Sequence, residues 1–386
     1  MSHLAVVLAP VSVAAGRYQL SDKTVSGMRA LAQRWSGRVS FVTAAHPAGE
    51  DTNLGLGWHT AKELGLEILS DEPVRALADL RPDVVQASVV LRDEGVLDLG
   101  LPTVLVAENT ARERLRYAWP TLSPAARPRA AMGAARQELR QRAMVRRASA
   151  LACNGWSAWS AYGRIAARAH DVAPVLFFDT RLSIDRVAAA HHRTGGPPGL
   201  PLRLAFSGRL HPAKGPQHAV QASIELDRRG VRHSMLVLGD GPLRAELEAV
   251  RASSVTFAGS LEFEPDWVET VARDVDVMVL PHTQGDPSGT YLESAGLGVP
   301  VAGFGNAALK GHEREGFAWA SRSMTAAGLA DLLVDLDRDR SRVLEASRRG
   351  VAFMDHHAME PAFDARVDQL AKVAESTKGR RTAPPV

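Results

Sequence analysis

A chain of 386 residues exceeds one ordinary core and predicts two domains of roughly 180 residues each. Its 45% hydrophobic and 23% charged residues exclude a disordered or fibrous chain, and a formal charge of +3, carried mostly by arginine, argues only weakly for anionic partners. The single cysteine, Cys153, excludes a disulfide framework and a cysteine-based metal site, and its apolar surroundings predict a buried, inert thiol.

Residues 3–15 are apolar but lack the basic start of a signal peptide, and their Leu-Ala-Val-Val-Leu core reads as a first buried strand. Short runs rich in Val, Leu and Ala follow at 4–9, 39–44, 83–86, 103–107 and 148–153, separated by helical stretches. Continuous apolar strands between helices predict a parallel sheet covered on both faces. Glu108, Asn109 and Thr110 follow the run 103–107, then Arg112, Glu113, Arg114 and Arg116. Strand ends in such sheets often carry function, whereas an acid ahead of a helix equally serves its dipole; both roles stay open for Glu108. Residues 124–147 read as a helix with Arg127, Arg129, Arg136, Arg140, Arg142, Arg146 and Arg147, either a solvated face or a surface that docks on anionic lipid. Trp156 and Trp159 either stack on a sugar or lie on a buried helix face.

Gly and Pro displace any periodic pattern at 191–201, which reads as an interdomain linker. Strand-like runs resume at 202–206, 234–238, 255–257, 276–280 and 300–303, with helical patterns at 216–229 and 242–251. The expected organisation is a first Rossmann-like domain over 1–190, the linker, and a second over 202–355. A helix over 356–375 is expected to pack back on the first domain, ahead of a disordered tail, 376–386. No window offers 18 uninterrupted apolar residues, so a cytoplasmic chain without a membrane-spanning helix is expected, peripheral contact with the inner membrane face being left open. No aromatic-interleaved basic surface suggests nucleic acid.

Three motifs in the second half point to chemistry. The run 202–206 enters Ser207-Gly208-Arg209-Leu210-His211-Pro212-Ala213-Lys214-Gly215, where two cations on a glycine-bearing strand-to-helix loop suit a diphosphate. Gly239-Asp240-Gly241-Pro242 follows the next strand. A dinucleotide fingerprint would need a third glycine where Arg244 stands, so an oxidoreductase is disfavoured. Third, a Pro/Ser/Gly loop from Pro281 leads into a helix near Ser288, whose free backbone N–H groups make an anion site; Glu293 lies about one turn further in. Asp286, ahead of that helix, is either a dipole partner or an acceptor for sugar hydroxyls.

In order, Gly-Arg-Leu…Lys-Gly, Gly-Asp-Gly-Pro, Val255-Thr256-Phe257-Ala258-Gly259, Asp-Val…Leu-Pro, the acidic loop to Glu293, and Gly-x-Pro-Val resemble the group 1 family of retaining glycosyltransferases with the GT-B fold. The resemblance covers 202–304; over 1–190 it rests on strand alternation. It implies an α/β protein of two doubly wound Rossmann-like domains facing each other across a cleft. It also implies transfer of a hexose, with retention, from a nucleoside diphosphate sugar to a hydroxyl acceptor such as a cell-surface glycan, a lipid-linked saccharide or a small natural product. Arg209 and Lys214 would grip the diphosphate, aided by Gly208, Gly241 and the backbone of Ser288, Gly289 and Thr290. Glu293 would bind the ribose, the loop after Gly259 the base, and Glu108 and Asp286 would act at the reacting sugar. Fixed positive groups would stabilise the leaving diphosphate, so neither a metal nor a cofactor is expected.

The chain departs from the family pattern at two points. The family sets two glutamates with seven residues between them; here Gly285 stands eight before Glu293, with Asp286 next. The loop 10–23 keeps Gly16, Arg17 and Lys23 but lacks the family's paired glycines. These departures motivate an alternative, a catalytically weak nucleotide-sugar-binding partner subunit; a nucleotide-sugar epimerase of the same fold is a second alternative, although the acidic-loop-to-Glu293 pattern suits transfer better. A phosphorylase is disfavoured by the short chain and the lack of a pyridoxal-binding lysine.

Overall fold

The computed structural model describes residues 2–46, 56–196, 199–285 and 287–382. It divides into two compact units: Met1–Arg112 with Pro124–Phe177 and Ala362–Val386, and Glu113–Ser123 with Phe178–Pro361.

The first unit is built on seven parallel strands, β1 (His3–Val7), β2 (Arg38–Thr43), β3 (Glu67–Ser70), β4 (Val84–Ser88), β5 (Thr103–Ala107), β6 (Ala150–Asn154) and β7 (Val175–Phe177), in the order β7-β6-β5-β4-β1-β2-β3. Leu4, Val85, Leu105 and Leu151 are wholly buried, as expected of a sheet covered on both faces. The stretch 10–23, read from sequence as a loop, instead pairs Val11–Ala14 with Arg17–Ser21 as a hairpin turning at Ala15 and Gly16, both at positive φ. Two successive positive-φ residues make the turn whose twist matches a hairpin, and the alternation of Ser12, Val13, Tyr18 and Leu20 is too short to stand out in sequence. Ser21 then caps the helix Asp22–Arg34 by accepting the Thr24 N–H at 3.1 Å.

The second unit carries six parallel strands, β8 (Leu202–Ser207), β9 (His233–Leu238), β10 (Val255–Gly259), β11 (Val277–Leu280), β12 (Val301–Phe304) and β13 (Ala318–Ser321), in the order β10-β9-β8-β11-β12-β13. Its core interleaves Leu204, Phe206, Val237 and Val279 of the sheet with Leu226 of helix Pro216–Arg228 and Leu333 of helix Ala326–Arg338. β8 has β9 on one side and β11 on the other, so the chain reverses its direction of winding there. The crevice outside the carboxyl ends of β8 and β11 is where doubly wound sheets hold ligands.

The unit boundaries differ from those expected from sequence. After the excursion at Glu113–Ser123 the chain passes into the second unit again at Phe178, and the Gly/Pro stretch taken for a linker is bound into it: Ser347 Oγ accepts the Arg193 N–H at 2.8 Å, and Arg340 donates to the carbonyls of Gly195 and of Leu200, the latter at 2.6 Å. These partners lie 140 to 154 residues away in sequence, so composition alone could not reveal them. Residues 197 and 198 lie outside the described residues.

The last helix, Met359–Thr382, passes from the second unit into the first at Ala362. Within the first unit Gln369 Nε2 donates to the carbonyls of Leu151 and Ala173 at 3.0 and 2.9 Å, and Arg34 pairs with Asp364 at 2.8 Å. The helix continues through 376–382, which were expected to be disordered: polar composition by itself does not stop a helix, and no proline interrupts it there. The remaining tail, 383–386, lies outside the described residues. No helix among the described residues is long and apolar enough to cross a membrane.

Candidate functional site

Four loops leave the carboxyl edge of the second sheet and are tied to one another by backbone hydrogen bonds. Gly208 N–H donates to Leu238 O at 2.9 Å and Gly239 N–H to Gly259 O at 2.7 Å; Leu210 N–H reaches Asp240 O at 2.9 Å, and Leu243 N–H returns to Leu210 O at 3.0 Å. Such close backbone approach explains Gly241, at φ 154°, where a Cβ would stand 2.8 Å from Leu210 O. A 3₁₀ turn, Pro212–Lys214, ends at Gly215, at φ 73°, where a Cβ would stand 2.2 Å from Pro281 O. Thr283 N–H completes the join by donating to Ala213 O at 3.1 Å. The loop bearing Arg209 and Lys214 is thus held directly against the loop that leads out of β11. Arg209 is exposed and Lys214 half-buried.

That second loop runs into the helix Gly289–Gly296, whose N-cap Ser288 makes no side-chain hydrogen bond to the first turn. The leading N–H groups at Gly289 and Thr290 therefore have no side-chain cap and sit at the positive end of the helix dipole. Glu293 is buried, and its carboxylate folds back over the helix start, close enough that a Cβ on Gly289 would meet Oε1 at 3.1 Å. The Arg181 N–H donates to Glu293 Oε1 at 3.3 Å, and Arg181 Nε lies 3.7 Å from the same oxygen.

Asn306 fixes the two halves of this helix-loop unit by donating to His282 O at 3.0 Å and to Tyr291 Oη at 3.2 Å while capping the helix Ala307–Arg314 through Leu309 N–H. His282 is buried with neither ring nitrogen partnered. Burial, and secondarily the charge of Lys214, hold its pKa well below the usual imidazole value, so the ring stays neutral beside the cationic loop.

Of the residues singled out from sequence, Gly208, Arg209, Lys214, Gly241, Gly259, Ser288, Gly289, Thr290 and Glu293 are all on these carboxyl-edge loops or the helix start. Asp286 lies outside the described residues. Glu108 belongs to the first unit, exposed at the carboxyl end of β5, where its Oε1 accepts from Asn154 Nδ2 at 3.2 Å across the end of β6. Trp156 follows β6, whereas Trp159 packs on the first unit's core. Cys153 is fully buried, which pushes its thiol up to about 12.

The places of Glu113 and Arg181 in this site escape sequence reasoning. The Glu113 carboxylate lies against Gly285, so that a Cβ there would meet Oε2 at 2.7 Å. The position eight before Glu293 therefore lacks a side chain of its own but has a carboxylate beside it, delivered from a distant segment. Arg181 stacks over Phe263 at 4.0 Å, Phe263 stacks on Trp267 at 5.4 Å, and Trp267 Nε1 donates to Ser207 Oγ at 2.8 Å. This chain of contacts runs from the end of β8 to Glu293 around the rim of the site. No local motif signals Arg181 or Glu113, because each acts on a residue remote in sequence. Among the described residues, no group of three or more His, Cys, Asp or Glu is arranged to hold a metal ion.

Residues 201–339 match a family model described as glycosyl transferases group 1. The chain is 36% identical over 107 residues to a 2-deoxystreptamine glucosyltransferase of Streptomyces kanamyceticus, covering 26% of this chain and 27% of that protein. It is 29% identical over 193 residues to a D-inositol 3-phosphate glycosyltransferase of Nocardia farcinica, covering 47% and 43% respectively. The chain thus spans between about a quarter and under half of the length of these curated relatives. Solved structures match over nearly the whole chain: sucrose-phosphate synthase of Thermosynechococcus elongatus with a TM-score of 0.64 at 13% identity, and Anabaena HepE, in complex with UDP and glucose, with 0.60 at 11%. Each match covers 98% of this chain and 100% of the other. At these identities the likeness establishes the fold, two Rossmann-like α/β domains of the GT-B kind. The family match and the curated relatives support a group 1 glycosyltransferase assignment for residues 201–339.

Proposed function

We propose that the protein is a retaining glycosyltransferase that moves a hexose from a nucleoside diphosphate sugar to a hydroxyl acceptor without a metal ion. The observation that carries this reading is the join between two anion-binding features: the Arg209/Lys214 loop held by Thr283 N–H on Ala213 O at 3.1 Å, and the start of helix Gly289–Gly296, which lacks a side-chain cap. In this reading the two cations and the backbone donors on these joined loops serve the diphosphate as its bond to the sugar breaks. The electron pair of that C1–O bond leaves with the diphosphate, the acceptor oxygen bonds C1 on the same face, and the acceptor's proton is released.

In this reading Arg209, Lys214 and the backbone of Ser288, Gly289 and Thr290 neutralise the leaving group, and Glu293 receives the ribose hydroxyls. Gly208, Gly241 and Gly259 let the loops close around the nucleotide. Asp286 contacts the donor sugar, and Glu108 serves on the acceptor side. Uridine diphosphate is the first nucleotide to test, because HepE of the same fold holds it.

A thermal-shift panel of UDP, GDP, CDP, ADP and TDP with their sugars tests the donor site. A ligand at a hundred times its Kd stabilises by about 2.7 kcal/mol, so the true donor raises Tm measurably. Arg209→Ala and Lys214→Ala abolish that rise and sharply lower transfer while leaving the unliganded Tm nearly unchanged. Unchanged turnover in both variants removes the assignment.

A further inference from the structure

The first unit holds a second site-like feature that the proposed transfer does not use. A cavity of about 930 Å³ opens between the carboxyl-terminal half of helix Arg127–Arg147 and the helix Arg164–Ala169, lined by Arg142, Arg146, Arg164, Arg168 and Trp159. Arg146 lies just ahead of β6, and Arg168 ends the helix that leads back toward β7, so the cavity sits at the amino-terminal edge of the sheet. Glu108 and Asn154, by contrast, are at its carboxyl edge.

Four guanidinium groups in two i,i+4 pairs on facing helices repel one another unless an anion lies between them. Among the described residues lining the cavity there is no carboxylate. The compensating acid beside it is Glu138, which accepts from Arg142 Nε at 3.0 Å and from Tyr162 Oη at 3.1 Å, so both of its oxygens are engaged.

The wall is also specially built. Residues Trp159–Gly163 form a π-helical turn between the helices Gly155–Ala158 and Arg164–Ala169. Such turns insert one residue, rotate the downstream helix by about 100°, and recur at functional sites. Here the rotation sets the direction of Arg164 and Arg168. Gly163 leaves room for the indole, since a Cβ there would stand 3.1 Å from the Trp159 ring. A flat aromatic face beside several guanidinium forks matches a ligand that joins phosphate to a ring or chain, and the volume lies within the range of small-molecule sites.

We propose that this cavity binds a phosphate-bearing ligand, as a site separate from the one at the carboxyl edge of the second sheet. The phosphate belongs either to a soluble phosphorylated molecule or to a lipid headgroup. The same helix exposes Met132 and Leu139, so the experiment includes a membrane arm.

Isothermal titration of the full chain with sodium tripolyphosphate tests the site in three variants alongside the wild type. Arg164→Gln/Arg168→Gln weakens binding at least tenfold with Tm unchanged, because both side chains are exposed. Arg209→Ala/Lys214→Ala leaves that binding event intact, which separates it from the proposed donor site. Arg129→Gln/Arg136→Gln removes the same charge from the first unit outside the cavity and leaves the affinity within twofold. Equal loss in this last variant means diffuse surface attraction and overturns the proposal, as does loss confined to the Arg209/Lys214 variant or an isotherm insensitive to Arg164 and Arg168. Sedimentation with phosphatidylglycerol vesicles, but not phosphatidylcholine vesicles, that is lost in Arg164→Gln/Arg168→Gln assigns the phosphate to a headgroup. Tripolyphosphate binding without vesicle binding assigns it to a soluble ligand.

Discussion

Acid should loosen the proposed donor domain through a histidine that carries no charge in the folded state. His312 is 2% exposed, with its ring packed on Phe178, Tyr291 and Phe317 at centroid distances of 5.8, 5.3 and 5.1 Å, and its Nδ1 is buried without a partner. Burial, and secondarily the neighbouring His357, lower its pKa to about 3. An unfolded chain regains the ordinary value near 6.5, so between these limits the unfolded state binds the extra proton and stability falls as pH falls. From pH 7 to pH 5 the unfolded group takes up most of one proton while the folded group takes up almost none. The loss is about 2 kcal/mol, a sizeable part of a typical total of roughly 5–15 kcal/mol.

His312→Phe keeps a ring in the stack and removes the titration. Urea unfolding at pH 7 and pH 5, for both proteins, should show the wild type losing about 2 kcal/mol more than the variant between the two pH values. Because the folded ring stays neutral over this range, the effect is on stability and donor affinity of the folded protein should not change through His312. Equal pH dependence in both proteins would refute the assignment of the acid sensitivity to His312.

Gly215→Ala puts a Cβ 2.2 Å from Pro281 O at a φ of 73° and should cost about 1–3 kcal/mol, with loss of nucleotide binding, as read by denaturation and by thermal shift with UDP. Arg181→Ala frees Glu293 from its 3.7 Å partner and uncovers Phe263; the donor KM should rise several-fold with kcat changed less, whereas an equal fall in kcat would point to a role in the chemical step. Glu113→Gln keeps the shape beside Gly285 but removes the charge, and transfer should fall about tenfold or more at unchanged Tm if that carboxylate serves the reacting sugar; full activity would mark it as structural. Asp276 is buried and accepts from Arg203 Nε at 3.0 Å, Arg203 Nη2 at 2.7 Å and the Arg203 N–H at 3.0 Å, whereas Arg203 is half-exposed, so Asp276→Ala should cost about 1–3 kcal/mol in chemical unfolding, against less for Asp276→Asn.

Much of the fold was legible because its signal is local. Runs such as 103–107 and 202–206 alternate with helical stretches and need no remote information to be read as buried parallel strands, and β5 coincides with the run that predicted it. In the two parallel sheets, the strands that were not anticipated, Glu67–Ser70, Val175–Phe177 and Ala318–Ser321, are only three or four residues long and lie at the sheet edges. There, pairing on one side substitutes for the apolar run that marks a central strand. The boundary between the units was obscured for a different reason. A glycine- and proline-rich stretch looks like a linker wherever it occurs, and only Arg340 and Ser347, supplied from far along the chain, turn it into packed structure.

The site divides along the same line. Residues whose work is done by the backbone were readable from spacing, since a glycine at a strand end or a short run ahead of a helix carries its geometry with it. Gly215 and Gly241 have a physical cause, because each faces a carbonyl of the adjoining loop. Side chains that act across the fold left no such trace. Gly285 reads in sequence as a missing acid, yet the Glu113 carboxylate fills the space its side chain would take. A glycine there is what permits that approach, so the departure from the two-glutamate pattern and the presence of Glu113 are one structural fact. A Gly285→Glu substitution would not restore the pattern; it would force two carboxylates into the volume of one and displace Glu113.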